Sequence, residues 1–230
     1  SLLAQKKKIT KKQLKEDSLV TFYYKAVKYF EDNMKPILII GGSVIVLAVL
    51  VYLYSVKLKN DNEKAAIELS RVVSLYEMGN YQEAIDGKKG TNVLGLKQIV
   101  DSYGSTENGE IAKVYLGNSY LYLGKIDKAY EYYDDFSGDS PIYKASALAG
   151  VAGYYEYKKE YEKAAEKYKE AAFISKENAS NPQYLLSAVI NLIKVKNNAE
   201  AKELIDKIKE EYKTSDVMRE IDKYSFLVKE

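Results

Sequence analysis

The run Pro36–Val56 constrains this chain most, because its 21 residues, PILIIGGSVIVLAVLVYLYSV, carry no charge and lie between Lys35 and Lys57. At a rise of ~1.5 Å per residue, a helix of this length spans the ~30 Å hydrocarbon core of a bilayer. Tyr52 and Tyr54 fall near its end, where amphipathic rings favour the headgroup region. A buried helix of a soluble core is usually shorter or carries a polar stripe. We therefore predict a transmembrane helix over residues 36–56.

The charge on either side of this run predicts its orientation. Residues 1–35 contain nine lysines and four acidic residues, a net charge of +5, whereas residues 57–230 carry a net charge of −3. Since positive segments stay on the cytoplasmic side, we expect the region before the span to be cytoplasmic and the region after it to be translocated. A cleavable signal peptide is the alternative, but its apolar region is shorter and ends at a small-residue cleavage site. The pattern favours an uncleaved signal anchor.

The composition predicts an all-α fold and excludes several kinds of chemistry. Proline is scarce and Ala, Lys, Glu, Leu and Tyr are abundant, which is typical of helical proteins. The chain contains no His and no Cys, so imidazole catalysis, thiol nucleophiles, disulfides and the usual zinc sites are absent. Its only arginines are Arg71 and Arg219, which argues against nucleic-acid recognition. We predict no enzymatic activity, no cofactor, no metal and no small-molecule substrate.

The segment before the span divides into two parts. Residues 1–16 are basic and poor in apolar side chains, so we predict a disordered arm attracted to anionic lipid. Residues 17–34 show apolar side chains at helical spacing, with Asp17 or Ser18 as an N-cap, and predict an amphipathic helix on the inner membrane surface. The same helix is a candidate docking element for a membrane partner. The predicted membrane-docking residues are Phe22, Tyr23, Phe30, Gly41 and Gly42.

Residues 65–230 contain an internal repeat. One unit places Leu116, Gly117, Tyr120, Gly124, Ala129, Tyr133 and Pro141 in the order typical of a tetratricopeptide repeat, which it resembles. Small residues at Gly117 and Ala129 allow two antiparallel helices to touch, and Tyr120 and Tyr133 fill the space beside them. We therefore predict a helical hairpin in this unit, with Gly124 ending its first helix.

Three further units extend the pattern to about four hairpins over residues 65–215. Their small positions are Ala84, Ala164 and Ala201, and the 45 residues from Ala84 to Ala129 imply an insertion within 86–109. A last helix with Ser215 or Asp216 as its N-cap is predicted to cap the array, because solenoids must cover their final apolar face. Residues 57–64 are either a short linker or a continuation of the membrane helix.

The first helix of each repeat lines a concave surface in this architecture. Tyr76, Tyr122 and Tyr157 fall there and offer an aromatic groove for a peptide or helix, although ordinary packing explains tyrosines in a chain that has 23 of them. The predicted groove residues are Leu69, Val73, Tyr76, Val114, Asn118, Tyr122, Ala149, Gly153, Tyr157 and Lys194. The acidic run at 134–139 lacks a calcium-loop pattern, so it predicts no cation site.

A basic arm, one span and a set of translocated repeats together resemble the YfgM-type family of bacteria, ancillary subunits of the SecYEG translocon. The arm KKQLKEDSLVTFYYKAVKYFEDNMKPILI is similar in style to the family's arm. The resemblance implies a periplasmic scaffold that links the translocon to chaperones. The insertion after Ala84 departs from a regular array and affects the shape of the groove. The alternative is an accessory structural subunit of another inner-membrane complex, respiratory or photosynthetic, docked through its anchor and arm.

Overall fold

The computed structural model describes residues 11–228, with side chains described from residue 16 onward. Within that range the chain is all-helical, as predicted, and its only strand-like pairing is a single antiparallel bridge between Gly87 and Leu94. The helices are α1 (Lys11–Asp32), α2 (Met34–Glu77), α3 (Tyr81–Asp86), α4 (Leu96–Tyr103), α5 (Glu107–Tyr122), α6 (Ile126–Asp134), α7 (Pro141–Tyr157), α8 (Tyr161–Phe173), α9 (Asn181–Lys194), α10 (Asn198–Glu211) and α11 (Met218–Leu227).

The chain divides into two compact units, with the boundary between Val56 and Lys57. The first unit contains α1 and the apolar part of α2. Among the described residues, α2 is the one helix long and apolar enough to cross a membrane, and its most apolar window is not buried. The hydroxyls of Ser43 and Ser55 donate to the carbonyl oxygens of Ile39 and Val51, at 2.8 and 2.9 Å. These side chains are therefore satisfied within the helix itself.

The helix before the span differs from the sequence prediction in its bounds. It is already helical at Lys11, the first residue that the structure describes, so residues 11–16 are helical rather than disordered, and neither Asp17 nor Ser18 is an N-cap. Residues 1–10 of the predicted arm lie outside the described residues. Asn33 alone separates α1 from α2, and the backbone hydrogen bonds Asn33 N to Tyr29 O and Ile37 N to Asn33 O, both 3.1 Å, continue across it. Residues 57–64 are helical, because α2 runs without a break to Glu77.

Four equivalent turns organise the second unit. Gly79, Gly124, Lys159 and Lys196 have φ angles of 77°, 73°, 63° and 60°, the left-handed conformation that ends a helix. At each turn this residue and the next donate backbone hydrogen bonds to carbonyls three and five residues back, as in Lys125 N to Tyr120 O at 2.8 Å. Each turn reverses the chain after α2, α5, α7 and α9. The result is four helical hairpins with a common turn geometry.

An alanine follows each turn at the same distance. Ala84, Ala129, Ala164 and Ala201 lie five residues after the left-handed position and are buried. Their backbone N–H groups donate to the carbonyl oxygen of the N-cap residue, directly before the second helix of each hairpin. A small side chain here lets the two helices of a hairpin approach closely. Each of these alanines therefore lies at the same place relative to a left-handed turn.

The insertion within 86–109 contains a helix that was not predicted, α4. Leu96 and Ile99 on this helix are fully buried, in the same core cluster as Leu69 and Val72 of α2. Burying a side chain of this size stabilises the fold by ~1.5–3 kcal/mol. The insertion therefore contributes to the core instead of forming a surface loop.

Tyr133 of α6 is wedged between two glycines of neighbouring helices. A Cβ placed on Gly117 of α5 would lie 2.7 Å from Cε1 of the ring, and one placed on Gly150 of α7 would lie 2.4 Å from Cδ2. Both distances are below 3.0 Å, which non-bonded contacts of real Cβ atoms essentially never show. The ring thus takes the place of two missing side chains, and it fixes how α5, α6 and α7 pack together.

A buried ion pair holds the connection from α6 to α7. The Nζ of Lys113 lies 2.7 Å from Glu110 Oε1 and 2.8 Å from Asp135 Oδ2, and the Lys113 and Glu110 side chains are each 9% exposed. Glu110 also accepts hydrogen bonds from the backbone N–H (2.8 Å) and hydroxyl (3.1 Å) of Ser137. Burial lowers the pKa of Lys113, but its hydrogen bonds to Asp135 and Glu110 outweigh this and raise it. Lys113 therefore stays charged.

A second core cluster is formed by side chains of α8, α9, α10 and α11. Leu185, Val189, Ile205 and Ile208 are its central side chains, and Ile221 of α11 is fully buried against them. The last helix begins at Met218, slightly later than predicted, with Val217 as its N-cap residue. Helix α11 packs on both α9 and α10. It thus covers apolar surface of the last hairpin.

Candidate functional site

Four tyrosines and Asn118 lie together in the second unit. The rings of Tyr81 and Tyr122 stack at 4.5 Å between centroids, and Tyr76 lies 5.5 Å from Tyr81 and 6.3 Å from Tyr122. The hydroxyl of Tyr133 donates to Asn118 Oδ1 at 2.6 Å. Burial raises the pKa of Tyr76, and a hydrogen bond with Asn118 opposes that effect. We call Tyr76, Tyr81, Asn118, Tyr122 and Tyr133 the Asn118 cluster.

A separate cavity of about 190 Å³ lies among α5, α6, α7 and α8. Five of its eleven lining residues are tyrosines and four are alanine or glycine, and none carries a charge at neutral pH. We call it the tyrosine pocket. Its tyrosines are Tyr130, Tyr133, Tyr154, Tyr157 and Tyr168. Its small residues are Ala129, Ala149, Gly150 and Gly153, and Leu121 and Ile126 complete the lining.

The two ends of the tyrosine pocket differ in exposure. Ala129 and Tyr133 form a buried floor, with exposures of 1% and 4%. Leu121 and Tyr157 form the mouth and are 44% and 59% exposed. Gly153 lies on the wall, and a Cβ there would meet only the Tyr168 hydroxyl, at 3.7 Å, which is an ordinary contact. The pocket is therefore open to solvent and has room beside Gly153.

Three phenols of the pocket, those of Tyr130, Tyr133 and Tyr168, have a pKa above the ordinary value. Burial raises the pKa of Tyr133 and of Tyr168, whose neighbour Glu156 acts in the same direction. A hydrogen bond with Tyr155, followed by burial, raises the pKa of Tyr130 to about 12. Tyr130 also stacks on Tyr154, with 4.0 Å between ring centroids. The lining thus behaves as an uncharged aromatic surface with few free polar groups.

Two ion pairs lie beside the pocket, and the Tyr168 hydroxyl donates to one of their carboxylates, Glu156 Oε2, at 3.3 Å. The Nζ of Lys158 lies 5.2 Å from the ring centre of Tyr154 and 5.5 Å from that of Tyr157, and it pairs with Asp127 at 3.1 Å. Further along, Lys194 pairs with Glu156 at 2.9 Å. Positive and negative groups alternate, so the rim has no strong net charge.

The structure distributes the predicted groove residues over two places. Tyr76, Asn118 and Tyr122 come together in the Asn118 cluster, and Ala149, Gly153 and Tyr157 come together in the tyrosine pocket. Val73 is half-buried and packs against the core, and Lys194 is exposed.

Two of the predicted groove residues are wrong. Leu69 is 7% exposed and Val114 is 2% exposed, so neither offers surface to a partner. Leu69 is covered because α4 adds Leu96 and Ile99 to the cluster around it. Val114 lies on α5, which packs against α3, α4, α6 and α7 and so has apolar neighbours on several sides.

Four tyrosines of the pocket were missed as site residues. Tyr130, Tyr133 and Tyr168 belong to the second helices of their hairpins, whereas the prediction considered first helices alone. Tyr154 lies on α7, three residues before Tyr157 and thus on nearly the same face. The i, i+3 pairs Tyr130/Tyr133 and Tyr154/Tyr157 are the sequence signal that marks this pocket.

The predicted membrane-docking residues lie in the first unit. Phe22, Tyr23 and Phe30 on α1 are 71%, 64% and 49% exposed, as a helix at a lipid interface requires. A Cβ on Gly41 or Gly42 would meet nothing within 4 Å. This leaves room for another helix to approach α2 at these positions.

Acidic side chains do not gather into a metal centre in the part of the chain that the structure describes. Asp135, which belongs to the acidic run at 134–139, is paired with Lys113 instead. Comparison of the chain with known protein families, with curated proteins and with solved structures gives no match.

Proposed function

We propose that this chain is a non-enzymatic, membrane-anchored scaffold whose hairpin domain binds proteins or peptides. The observation that carries the proposal is the uncharged, tyrosine-lined pocket that opens on an array of helical hairpins. Aromatic side chains are the residues that contribute most to protein–protein contacts, since they combine a large apolar area with a polar tip. Catalysis would instead need several kinds of titratable group close together. The only titratable groups in the lining of the pocket are phenols.

The hairpins are tetratricopeptide-type repeats in this proposal. Four left-handed turns with the same hydrogen bonds, each followed by a buried alanine at the same distance, support a repeated unit. The contact of Gly117 with the Tyr133 ring supports the assignment of these positions to the repeat signature. Arrays of this kind present a concave surface to their partners.

The anchor in this proposal is the apolar part of α2, which crosses a bacterial inner membrane once. The excess of lysine before the span supports a cytoplasmic location for α1 and a periplasmic location for the hairpin domain. Helix α1 then lies at the inner membrane surface. Its exposed Phe and Tyr side chains enter the headgroup region, where amphipathic helices bind.

The partners proposed are the Sec translocon and periplasmic chaperones that receive emerging polypeptides. A photo-crosslinking residue placed at Tyr122 or Tyr157, both exposed, tests this in cells that carry the full chain. Crosslinks to translocon subunits, chaperones or nascent secretory chains from these positions, and not from Ile142 on the same domain, are the expected result. Crosslinks of equal yield from all three positions would contradict a specific surface.

A second candidate function is an accessory structural subunit of a respiratory or photosynthetic membrane complex. The open approach at Gly41 and Gly42 and the exposed aromatic side chains of α1 favour it, because they suit packing against another membrane helix. Purification in a mild detergent separates the two functions. A redox complex recovered in fixed stoichiometry supports this candidate, and recovery of translocon and chaperones supports the first.

A further inference from the structure

The volume of the tyrosine pocket determines what can enter it. Sites for drug-sized molecules occupy ~300–1,000 Å³, whereas a cavity of ~150 Å³ already admits a single benzene ring. At about 190 Å³, the pocket accommodates one aromatic side chain, up to an indole, or one branched aliphatic group. The occupant is therefore the size of a single amino-acid side chain.

The absence of charge in the lining of the pocket further narrows the chemical class of its occupant. All eleven lining residues are uncharged at neutral pH, and the floor at Ala129 and Tyr133 is buried. A charged side chain would lose its hydration there without gaining a free counter-ion, because Lys158 pairs with Asp127 and Glu156, beside Tyr168, pairs with Lys194. Complementarity to the lining thus selects an uncharged, apolar side chain.

We propose that the tyrosine pocket receives one bulky apolar side chain, aromatic or branched aliphatic, from a partner polypeptide. This inference rests on the proposed function and adds to it the chemistry of the bound residue. The exposed mouth at Leu121 and Tyr157 gives the side chain access, and the space beside Gly153 receives it. The rest of the partner lies across the rim, where its main chain remains hydrated.

The absence of tryptophan from the chain gives a direct test. The full chain in lipid nanodiscs is titrated into a capped pentapeptide with one central Trp between Gly and Ser residues. Binding is expected to shift the indole emission to shorter wavelength and to produce energy transfer from the pocket tyrosines. Empty nanodiscs measure how much of the peptide binds to lipid alone.

Two variants change the pocket in different ways. Gly153→Leu places a side chain in the pocket without a clash at Cβ, and Tyr157→Ala removes part of the mouth. Each is expected to weaken binding at least about tenfold, which is ~1.4 kcal/mol. The matched control is Ile142→Ala, because Ile142 is exposed on the same helix, α7, but does not line the pocket. Its affinity should be unchanged.

Competition by capped peptides gives the specificity. Peptides with central Phe or Leu should displace the Trp peptide, whereas those with Asp or Lys should not. No binding of the Trp peptide, equal displacement by charged peptides, or full affinity in folded Gly153→Leu and Tyr157→Ala variants would each overturn the inference. Specific crosslinking from Tyr122 in cells would still support the proposed function in those cases, so the two can fail separately.

Discussion

The ring of Tyr133 occupies the space that a side chain at Gly150 would need, since a Cβ there would lie 2.4 Å from Cδ2 of the ring. Gly150→Ala must therefore displace the ring or separate α6 from α7. We expect it to lower the free energy of unfolding by ~1–3 kcal/mol, the usual cost of overpacking. Chemical denaturation followed by circular dichroism measures the change.

Gly153 is the matched control for Gly150, three residues further along α7. Its Cβ would meet only an ordinary contact, at 3.7 Å. Because Ala favours a helix interior over Gly, Gly153→Ala should raise the free energy of unfolding by up to ~1 kcal/mol. Equal effects of the two substitutions would contradict the packing described for Tyr133.

The left-handed turns at Lys159 and Lys196 predict stabilising substitutions. Both residues have positive φ, which a side chain disfavours and Gly tolerates. Lys159→Gly and Lys196→Gly should each raise the free energy of unfolding by ~0.5–1 kcal/mol. Lys202→Gly within α10 should lower it by ~1 kcal/mol, because glycine weakens a helix interior. Thermal unfolding of the three variants measures these changes, and a change of the opposite sign in any of them would contradict the prediction.

The ion pair of Lys113 and Glu110 predicts a large loss on removal of one partner. Lys113→Met leaves the Glu110 carboxylate buried without its cation, so we expect a loss of ~3–5 kcal/mol in unfolding free energy. The exposed pair of Lys202 and Asp206 is the control, and Lys202→Met should change stability by less than ~1 kcal/mol. A small effect at Lys113 would mean that water reaches Glu110 freely.

The raised pKa values of Tyr133 and Tyr168 predict a loss of stability at alkaline pH. Both pKa values lie above the ordinary value of 10.0, so the folded state disfavours the phenolate. The stabilisation is complete below about pH 10 and falls as the pH rises above it, because the unfolded chain then releases these protons more readily. Circular dichroism measures unfolding and absorbance measures tyrosinate formation, and both should change over the same range of pH.

The variant Tyr133→Phe tests whether Tyr133 contributes to the alkaline loss of stability. It removes the ionisable hydroxyl, so the alkaline loss should become smaller, while the hydrogen bond to Asn118 is lost at a cost of ~1 kcal/mol at neutral pH. An unchanged alkaline profile would place the effect on other tyrosines.

The span predicts that charge within it impairs membrane insertion. Leu47→Lys and Leu50→Lys lie near the centre of the run, where each lysine costs ~2.5–3.5 kcal/mol. The double variant should be released from membranes by alkaline carbonate, whereas Ile142→Lys, outside the span, should remain in the pellet. Retention of the double variant would contradict the assignment of this helix as the anchor.

The all-helical fold and two of its left-handed turns could be predicted from the sequence, because composition and glycine placement follow local rules. Gly79 and Gly124 identify left-handed turns directly, since glycine adopts that conformation without strain. The same conformation at Lys159 and Lys196 could not be predicted from the residue type. It follows only from the packing of the flanking helices, which overrides the local preference of lysine.

The exposed site residues were predicted less well because burial depends on distant segments. The position of Leu69 on its helix suggested a surface residue, but α4 covers it with Leu96 and Ile99. The path of that insertion has no local signature in the sequence. The tyrosines of α6 and α8 were missed for the same reason, since a cavity among four helices depends on how all of them pack.

The position of Tyr133 has a consequence for any ligand of the second unit. One edge of its ring forms the floor of the tyrosine pocket, and its hydroxyl holds Asn118 at 2.6 Å among the other tyrosines. We expect a side chain that displaces this ring to lengthen that bond, and a group that binds Asn118 in its place to free the ring. The two surfaces should then be linked, and the change that a ligand at one surface makes in the binding free energy at the other must equal the change in the reverse direction.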